Sequence, residues 1–176
     1  MDDKKITPEQ FKALATQFGI DEKLIRTVIL VESSGHGFDP KTGKILIQFE
    51  PRYFLKYAGI SIQNGVEMQA KEYEAFEQAL KLNPDAAYMS TSFGLAQIMG
   101  FNHEAAGFKT AKGMYDAFVI SEENQIRGML NFIKSEPQMF KALITHDWAT
   151  FASHYNGPQY LKFKYDTRLA AAYKSL

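Results

Sequence analysis

Apolar residues recur along most of the chain at the three- and four-residue spacing of helices buried on one face. In "TPEQFKALATQFG" (7–19) the stripe is Phe11, Leu14, Ala15 and Phe18. Thr7 is placed to cap it, Pro8 suits the first helical position, Gln10 completes a capping box and Gly19 ends the run. A second helix starts at once in "IDEKLIRTVILVESSG" (20–35), with Asp21 as cap and Ile20 spaced to staple against Ile25. Further helices are predicted from Pro51 through Tyr57 and in "VEMQAKEYEAFEQALKL" (66–82). Caps at Asn83, Ser121 and Asp147, with breaks at Gly100, Gly107 and Gly157, divide a remainder that is also mainly helical. The period changes once. After a turn around Pro40 and Gly43, Ile45, Ile47 and Phe49 alternate with Lys44, Gln48 and Glu50, which predicts one short strand. The pattern describes a mainly α, single-domain protein spanning residues 1–176, with a small β element near residues 38–50.

Composition narrows the function classes. The 176 residues are 45% apolar and 23% charged, the balance of a compact globular chain and not of a disordered one. Twenty basic and 20 acidic side chains cancel, so no overall field draws the protein to nucleic acid or to an anionic membrane. There is no cysteine, which excludes disulfide and thiolate chemistry. The start, "MDDKKITPEQF", lacks the apolar core of a signal peptide, and no run approaches the ~18 apolar residues of a membrane span. The expectation is a monomer made in the cytoplasm, with no nucleic-acid partner and no integral membrane segment.

One carboxylate stands out. Counting back from Glu32 by three, four and seven positions gives Ile29, Val28 and Ile25, so Glu32 continues the buried stripe of its helix. It also lies at the helix C-terminus, where the macrodipole disfavours an anion by about 0.3–1 kcal/mol. Burial and dipole both raise a carboxyl pKa, and a carboxyl that stays protonated near neutral pH is a general acid. An arginine partner or a bond to a neighbouring backbone would explain the same placement. Glu50, eighteen positions on, lies at the end of the predicted strand on the face opposite Ile45, Ile47 and Phe49. A turn between them would let two carboxyls face each other across a groove, the minimum equipment for glycoside hydrolysis. A helix cap at Pro51 is the plainer role for Glu50.

Other stretches add polar candidates. In "STSFGLAQIMGFNHEAAGF" (90–108), Gln97 either faces a groove, binding a sugar or holding Glu32, or is a satisfied buried amide. Thr91 and Ser92 are placed to bind a catalytic water or to cap a helix, while Leu95, Ile98 and Met99 read as core. In "DWATFASHYNGPQY" (147–160), Tyr155 and Asn156 precede a Gly-Pro break that either presents them to a ligand or ends a helix. Trp148 reads as core. The four histidines have no metal-ligand spacing, so no metal is expected, and no phosphate loop, nucleophile elbow or Cys/His pair is present.

These stretches, with "VESSGHGF", "ILIQFEPRYF" and "YDTRLAAAYK" (165–174), resemble the N-acetylmuramidase family of phage endolysins and bacterial peptidoglycan hydrolases, from about residue 9 to 174. The series glutamate-serine, Gly-Leu-x-Gln-Ile and Tyr-Asn-Gly is more loosely similar to goose-type lysozymes and soluble lytic transglycosylases. The resemblance implies a lysozyme-like fold and cleavage of the β-1,4 bond between N-acetylmuramic acid and N-acetylglucosamine in peptidoglycan strands. It places Glu32 at the catalytic acid and Glu50 at the second acidic position, with no cofactor. Thr91, Ser92, Gln97, Tyr155 and Asn156 are the substrate-binding candidates. Where members commonly read Phe-Glu-Arg-His after the strand, this chain reads Phe-Glu-Pro-Arg. Many relatives carry a separate wall-binding module, which is not expected here; the site of action would be the cell wall after release. The alternatives are a lytic transglycosylase, which forms anhydro-muramoyl ends, and a non-catalytic glycan-binding or virion structural domain.

Overall fold

The computed structural model describes residues 2–64 and 68–176. The first two helices form as their caps dictate. In α1 (Pro8–Phe18), Thr7 Oγ1 accepts from the Gln10 amide and Gln10 Oε1 accepts from the Thr7 amide at 2.9 Å, while Gly19 closes the helix in the left-handed region (φ 66°). In α2 (Glu22–Ser33), Asp21 Oδ1 accepts from the Lys23 amide at 2.7 Å, and Ile25, Val28 and Ile29 turn into the core. Glu32 therefore arrives at the end of a helix whose inner face is fixed by packing.

The strand lies where alternation placed it, shortened to β1 (Ile47–Phe49), with an isolated bridge between Phe38 and Ile45 at its approach. It is not alone. β2 (Thr91–Phe93) and β3 (Ile98–Met99) complete an antiparallel sheet in the order β1-β2-β3, with Gln48 opposite Ser92 and Ser92 opposite Met99. The sequence reading expected helix here, with Thr91 or Ser92 as a cap. All three residues of β2 are buried, so the strand has no alternation of apolar and polar positions to betray it. Its hairpin is turned by Gly94 (φ 74°) and Gln97 (φ 48°), and Gln125 Oε1 accepts the Leu95 amide at 2.8 Å inside the turn. A side chain at Gly94 would collide with that amide, its Cβ falling 2.5 Å from Gln125 Oε1.

After α3 (Pro51–Ala58), α4 (Gln69–Leu82) lies along the outer edge of β1. Met68 precedes it, and Val66 and Glu67 of the predicted helix lie outside the described residues. Side chains of α4 stand in for a fourth strand. Gln69 accepts from the Ile47 amide at 3.0 Å and donates to the Ile47 carbonyl at 2.8 Å, Glu72 accepts from the Phe49 amide at 2.8 Å, and Tyr73 donates to the Ile45 carbonyl at 2.8 Å. The backbone groups of a sheet edge are thus satisfied without another strand to pair with.

The remaining helices are α5 (Pro84–Met89), α6 (Ala111–Phe118), α7 (Glu122–Ser135), α8 (Pro137–Ile144), α9 (Trp148–Tyr155) and α10 (Tyr165–Ser175). They close one apolar cluster that includes Phe54, Phe93, Phe118, Met129 and Phe151. Trp148, read as core, lies at its margin, partly buried and stacked on His146 with ring centroids 5.4 Å apart. The C-terminal α10 returns to pack on α2 and α9. There Arg168 donates to the Val31 carbonyl at 2.6 Å, satisfying one of the carbonyls left over at the end of α2.

The α4 edge has a measurable role. Gln69→Leu leaves the amide and carbonyl of Ile47 without their partner. Urea denaturation should show a loss of about 1–3 kcal/mol, the typical cost of stranding a shielded polar group.

Candidate active site

Glu32, partly buried near the end of α2, makes one hydrogen bond among the described residues: its Oε1 accepts from Asn156 Nδ2 at 2.8 Å. Burial pushes its carboxyl up from the ordinary 4.5 to about 7, against the opposing effects of the Asn156 bond and the Arg168 charge. Desolvation outweighs both because a neutral amide and a cation occupied at Val31 supply less than water would. At pH 6 the group is mostly a neutral acid.

Glu50 sits where β1 becomes α3. Its amide donates to the Ser90 carbonyl at 2.9 Å, and its backbone is the N-cap of α3, but its side chain makes no capping bond. The Tyr53 amide, which a capping side chain would take, donates to the Glu50 carbonyl at 3.0 Å instead, and Pro51 at the first helical position has no amide to satisfy. The carboxylate, 28% exposed, instead faces Arg52 at 3.6 Å. Its pKa is raised by burial, with Arg52 opposing and the nearby Glu72 carboxylate assisting.

Both carboxylates line one groove, together with Gln48, Arg52, Gln97, Asn156 and Tyr165. One arm, of about 550 Å³, runs past Gln69, Gln159, Phe163 and Arg168; the other, of about 380 Å³, runs past Tyr53, Phe101, Glu136 and His154. Each is large enough for a small-molecule segment, and together they make an extended trough. Tyr165 lies within reach of both acids: its hydroxyl pKa is raised first by burial and then by Glu32, with a smaller contribution from Glu50.

The substrate-binding candidates separate by what their side chains bond. Asn156 is in the groove and holds Glu32, while its own Oδ1 is buried and accepts no hydrogen bond from a described residue. Ser92 and Gln97 also line the groove, but they are engaged locally: Ser92 Oγ donates to Gln97 Oε1 at 2.8 Å and Gln97 Nε2 donates to the Gly94 carbonyl at 2.8 Å. Tyr155 lines the smaller arm with its hydroxyl tied to the Ala96 carbonyl at 2.8 Å and its ring packed against Phe132 and Phe151. Thr91 is not brought to the groove; fully buried, it donates to the Ala87 carbonyl at 2.9 Å.

Several groove residues escaped the sequence reading. Glu72 carried a signal: with Ala75, Phe76 and Ala79 it lies on the buried stripe of α4, the same arrangement that singled out Glu32. Tyr165 and Arg168 are one helical turn apart, but nothing local indicates that they return to a helix more than 130 residues earlier. Gln48 and Arg52 flank Glu50 in sequence and share its exposure to the groove.

An α-rich, lysozyme-like fold with two acids on one groove is the equipment of a glycoside hydrolase. The chain belongs to the N-acetylmuramidase family, whose model matches residues 21–176. The crystal structure of a Burkholderia AP3 phage endolysin is similar, with a TM-score of 0.83 and 31% identity over 99% of this chain and 71% of that one. No curated protein matches. The protein is thus a glycoside hydrolase of the muramidase type, an enzyme of peptidoglycan degradation.

The raised pKa of Glu32 fixes a stability signature. Below pH 4.5 the carboxyl is neutral in both folded and unfolded chains; between 4.5 and about 7 only the unfolded chain ionises, so folding weakens as pH rises. At about 1.4 kcal/mol per pH unit the full penalty is about 3 kcal/mol. Glu32→Gln removes it. Unfolding free energies of the variant and the wild type should diverge in favour of the variant between pH 4 and pH 8; curves that stay parallel would contradict the assigned burial.

Proposed function

We propose that the protein cleaves the β-1,4 bond between N-acetylmuramic acid and N-acetylglucosamine in a peptidoglycan strand laid along this groove. Glu32 donates its proton to the glycosidic oxygen as the sugar carbon takes on oxocarbenium character. Glu50 stabilises that carbon or activates the attacking water. Residues 1–176 would act as one catalytic domain. The observation that carries the reading is the contrast between the two acids of one groove. Glu32 is held by one amide and protonated up to about pH 7, whereas Glu50 accepts no amide hydrogen bond among the described residues and faces Arg52 at 3.6 Å.

Asn156 fits this reading as the residue that orients the acid. Because Oε1 accepts the Asn156 N–H, the proton of neutral Glu32 resides on Oε2, free to be passed on. The presence of Glu50 favours hydrolysis over the lytic transglycosylase reaction, which needs only the acid, and over a groove that binds without reacting.

Glu32→Gln should keep the fold and abolish clearing of isolated cell walls, and undiminished clearing would sink the assignment. Product masses separate the two chemistries, since hydrolysis leaves a reducing end one water heavier than the anhydro end of transglycosylation. The profile of kcat/KM against pH, which reports the free enzyme, should fall on its alkaline side near pH 7 as Glu32 ionises, and on its acid side above the ordinary carboxylate range as Glu50 is protonated. Asn156→Leu removes a donor that favours ionised Glu32, so its alkaline limb should move to higher pH.

A further inference from the structure

The larger arm of the groove is walled by a loop, residues 157–164, to which none of the roles above gives a purpose. Gly157 and Lys164 bound it in left-handed conformations (φ 82° and 55°), and turns hold it in between, with the amides of Tyr160, Lys162 and Lys164 donating to the carbonyls of Gly157, Gln159 and Leu161 at 3.0–3.1 Å. It carries two exposed large apolar side chains, Leu161 at 64% and Phe163 at 52%. Leaving a phenyl ring half in water forfeits much of the stabilisation its burial would bring, so its placement asks for a partner. The two side chains are not equivalent: Phe163 lines the groove arm that contains Glu32, and Leu161 does not.

The ring is braced from the protein side. Tyr165 meets it at 63° with centroids 6.3 Å apart, and the Lys162 ammonium lies 5.4 Å from its centroid. Tyr165 in turn carries the Arg168 guanidinium at 4.9 Å from its centroid, and Arg168 is bonded to the end of α2. An exposed aromatic is thereby coupled through Tyr165 and Arg168 to the element that holds the proposed acid. On the other arm, Tyr53 and Phe101 form a second aromatic pair with centroids 4.9 Å apart, so Glu32 and Glu50 lie between two aromatic surfaces.

We infer that Phe163 is a stacking platform for a pyranose ring of the glycan strand, in a subsite displaced from the bond that is cut. This rests on the reading that the groove takes peptidoglycan. A pyranose turns a face of C–H groups to one side and its hydroxyls outward, so an aromatic ring beside Gln48 and Gln159 answers both chemistries at once. The alternation of Leu161, Lys162, Phe163 and Lys164 also has the composition of a tip that dips into an anionic bilayer. Placement favours the glycan, because insertion would require Leu161 and Phe163 to enter lipid together, and Phe163 faces the groove.

Steady-state kinetics on soluble polymeric wall glycan, with Phe163→Ala, Phe163→Trp and Leu161→Ala compared with the wild type, test the inference. Phe163→Ala should raise KM about three- to tenfold, the equivalent of one aromatic contact, and leave kcat little changed. Phe163→Trp should restore KM, and Leu161→Ala should behave as wild type. Sedimentation with phosphatidylglycerol vesicles should be the same for all four proteins. A folded Phe163→Ala enzyme with unchanged KM overturns the inference. So does joint loss of vesicle binding in the Phe163 and Leu161 variants with wild-type KM, which would assign the loop to a membrane. A wild-type protein that turns over no wall polymer overturns the functional reading itself, whereas an active wild type with an indifferent Phe163 overturns only the subsite.

Discussion

A carboxyl group placed on the apolar face of a helix, at the end where the helix dipole already opposes a negative charge, has two stable options. It can find donors or it can keep its proton. Glu32 is given one donor, the side-chain amide of Asn156, and a nearby guanidinium whose bond is spent on the Val31 carbonyl. Much of the surrounding structure maintains that arrangement. The return of α10 brings Arg168 to the end of α2, the end of α9 brings Asn156, and the sheet sets Glu50 in the same groove. Opening the packing of α9 and α10 over the end of α2 would admit water and return the carboxyl toward its ordinary acidity, whereas losing the Asn156 bond alone would raise its pKa further.

Burial alone does not mark the acid. Among the described residues three glutamates lie on the apolar stripe of a helix: Glu32 on α2, Glu72 on α4 and Glu122 on α7. Glu72 accepts from the Phe49 amide and from Asn64 at 2.8 Å each, and Glu122 accepts from the amides of Ile6 and Gly37 at 3.1 and 3.4 Å. Those two carboxylates tie segments of chain together through backbone donors. Glu32 accepts no backbone donor among the described residues, and it lines the groove. The bland explanation of a glutamate in an apolar stripe, that it bonds a neighbouring backbone, is right for its two counterparts.

The same contrast explains how much of the molecule was legible beforehand. Helices announce themselves through local periodicity and caps, so α1 and α2 could be read almost residue by residue, and Glu32 stood out against its own helix. Strand β1 was legible because one of its faces is polar. Strand β2 was not, being buried on both faces, and α4 revealed its apolar stripe but not that Gln69, Glu72 and Tyr73 would bond the backbone of a strand. The groove itself depends on closures between distant positions. Asn156 meets Glu32 from 124 residues away, and Arg168 meets Val31 from 137. No local pattern encodes those meetings; the strand-end position of Glu50 and the turn before it suggested that it could face Glu32, the family resemblance matched both to acidic positions, and only the fold shows that Thr91 turns away while Phe163 and Tyr165 turn in.

The central claim is that the folded protein keeps Glu32 protonated well above the range of an ordinary glutamate. Carbon-13 NMR of the side-chain carboxyl groups, titrated with pH and assigned to Glu32 by its loss in Glu32→Gln, measures that property without reference to activity. A midpoint near 7 is the expected result. A midpoint close to 4.5 would mean that solvent or an unseen donor reaches the carboxyl, and the account of Glu32 as a buried general acid would be wrong.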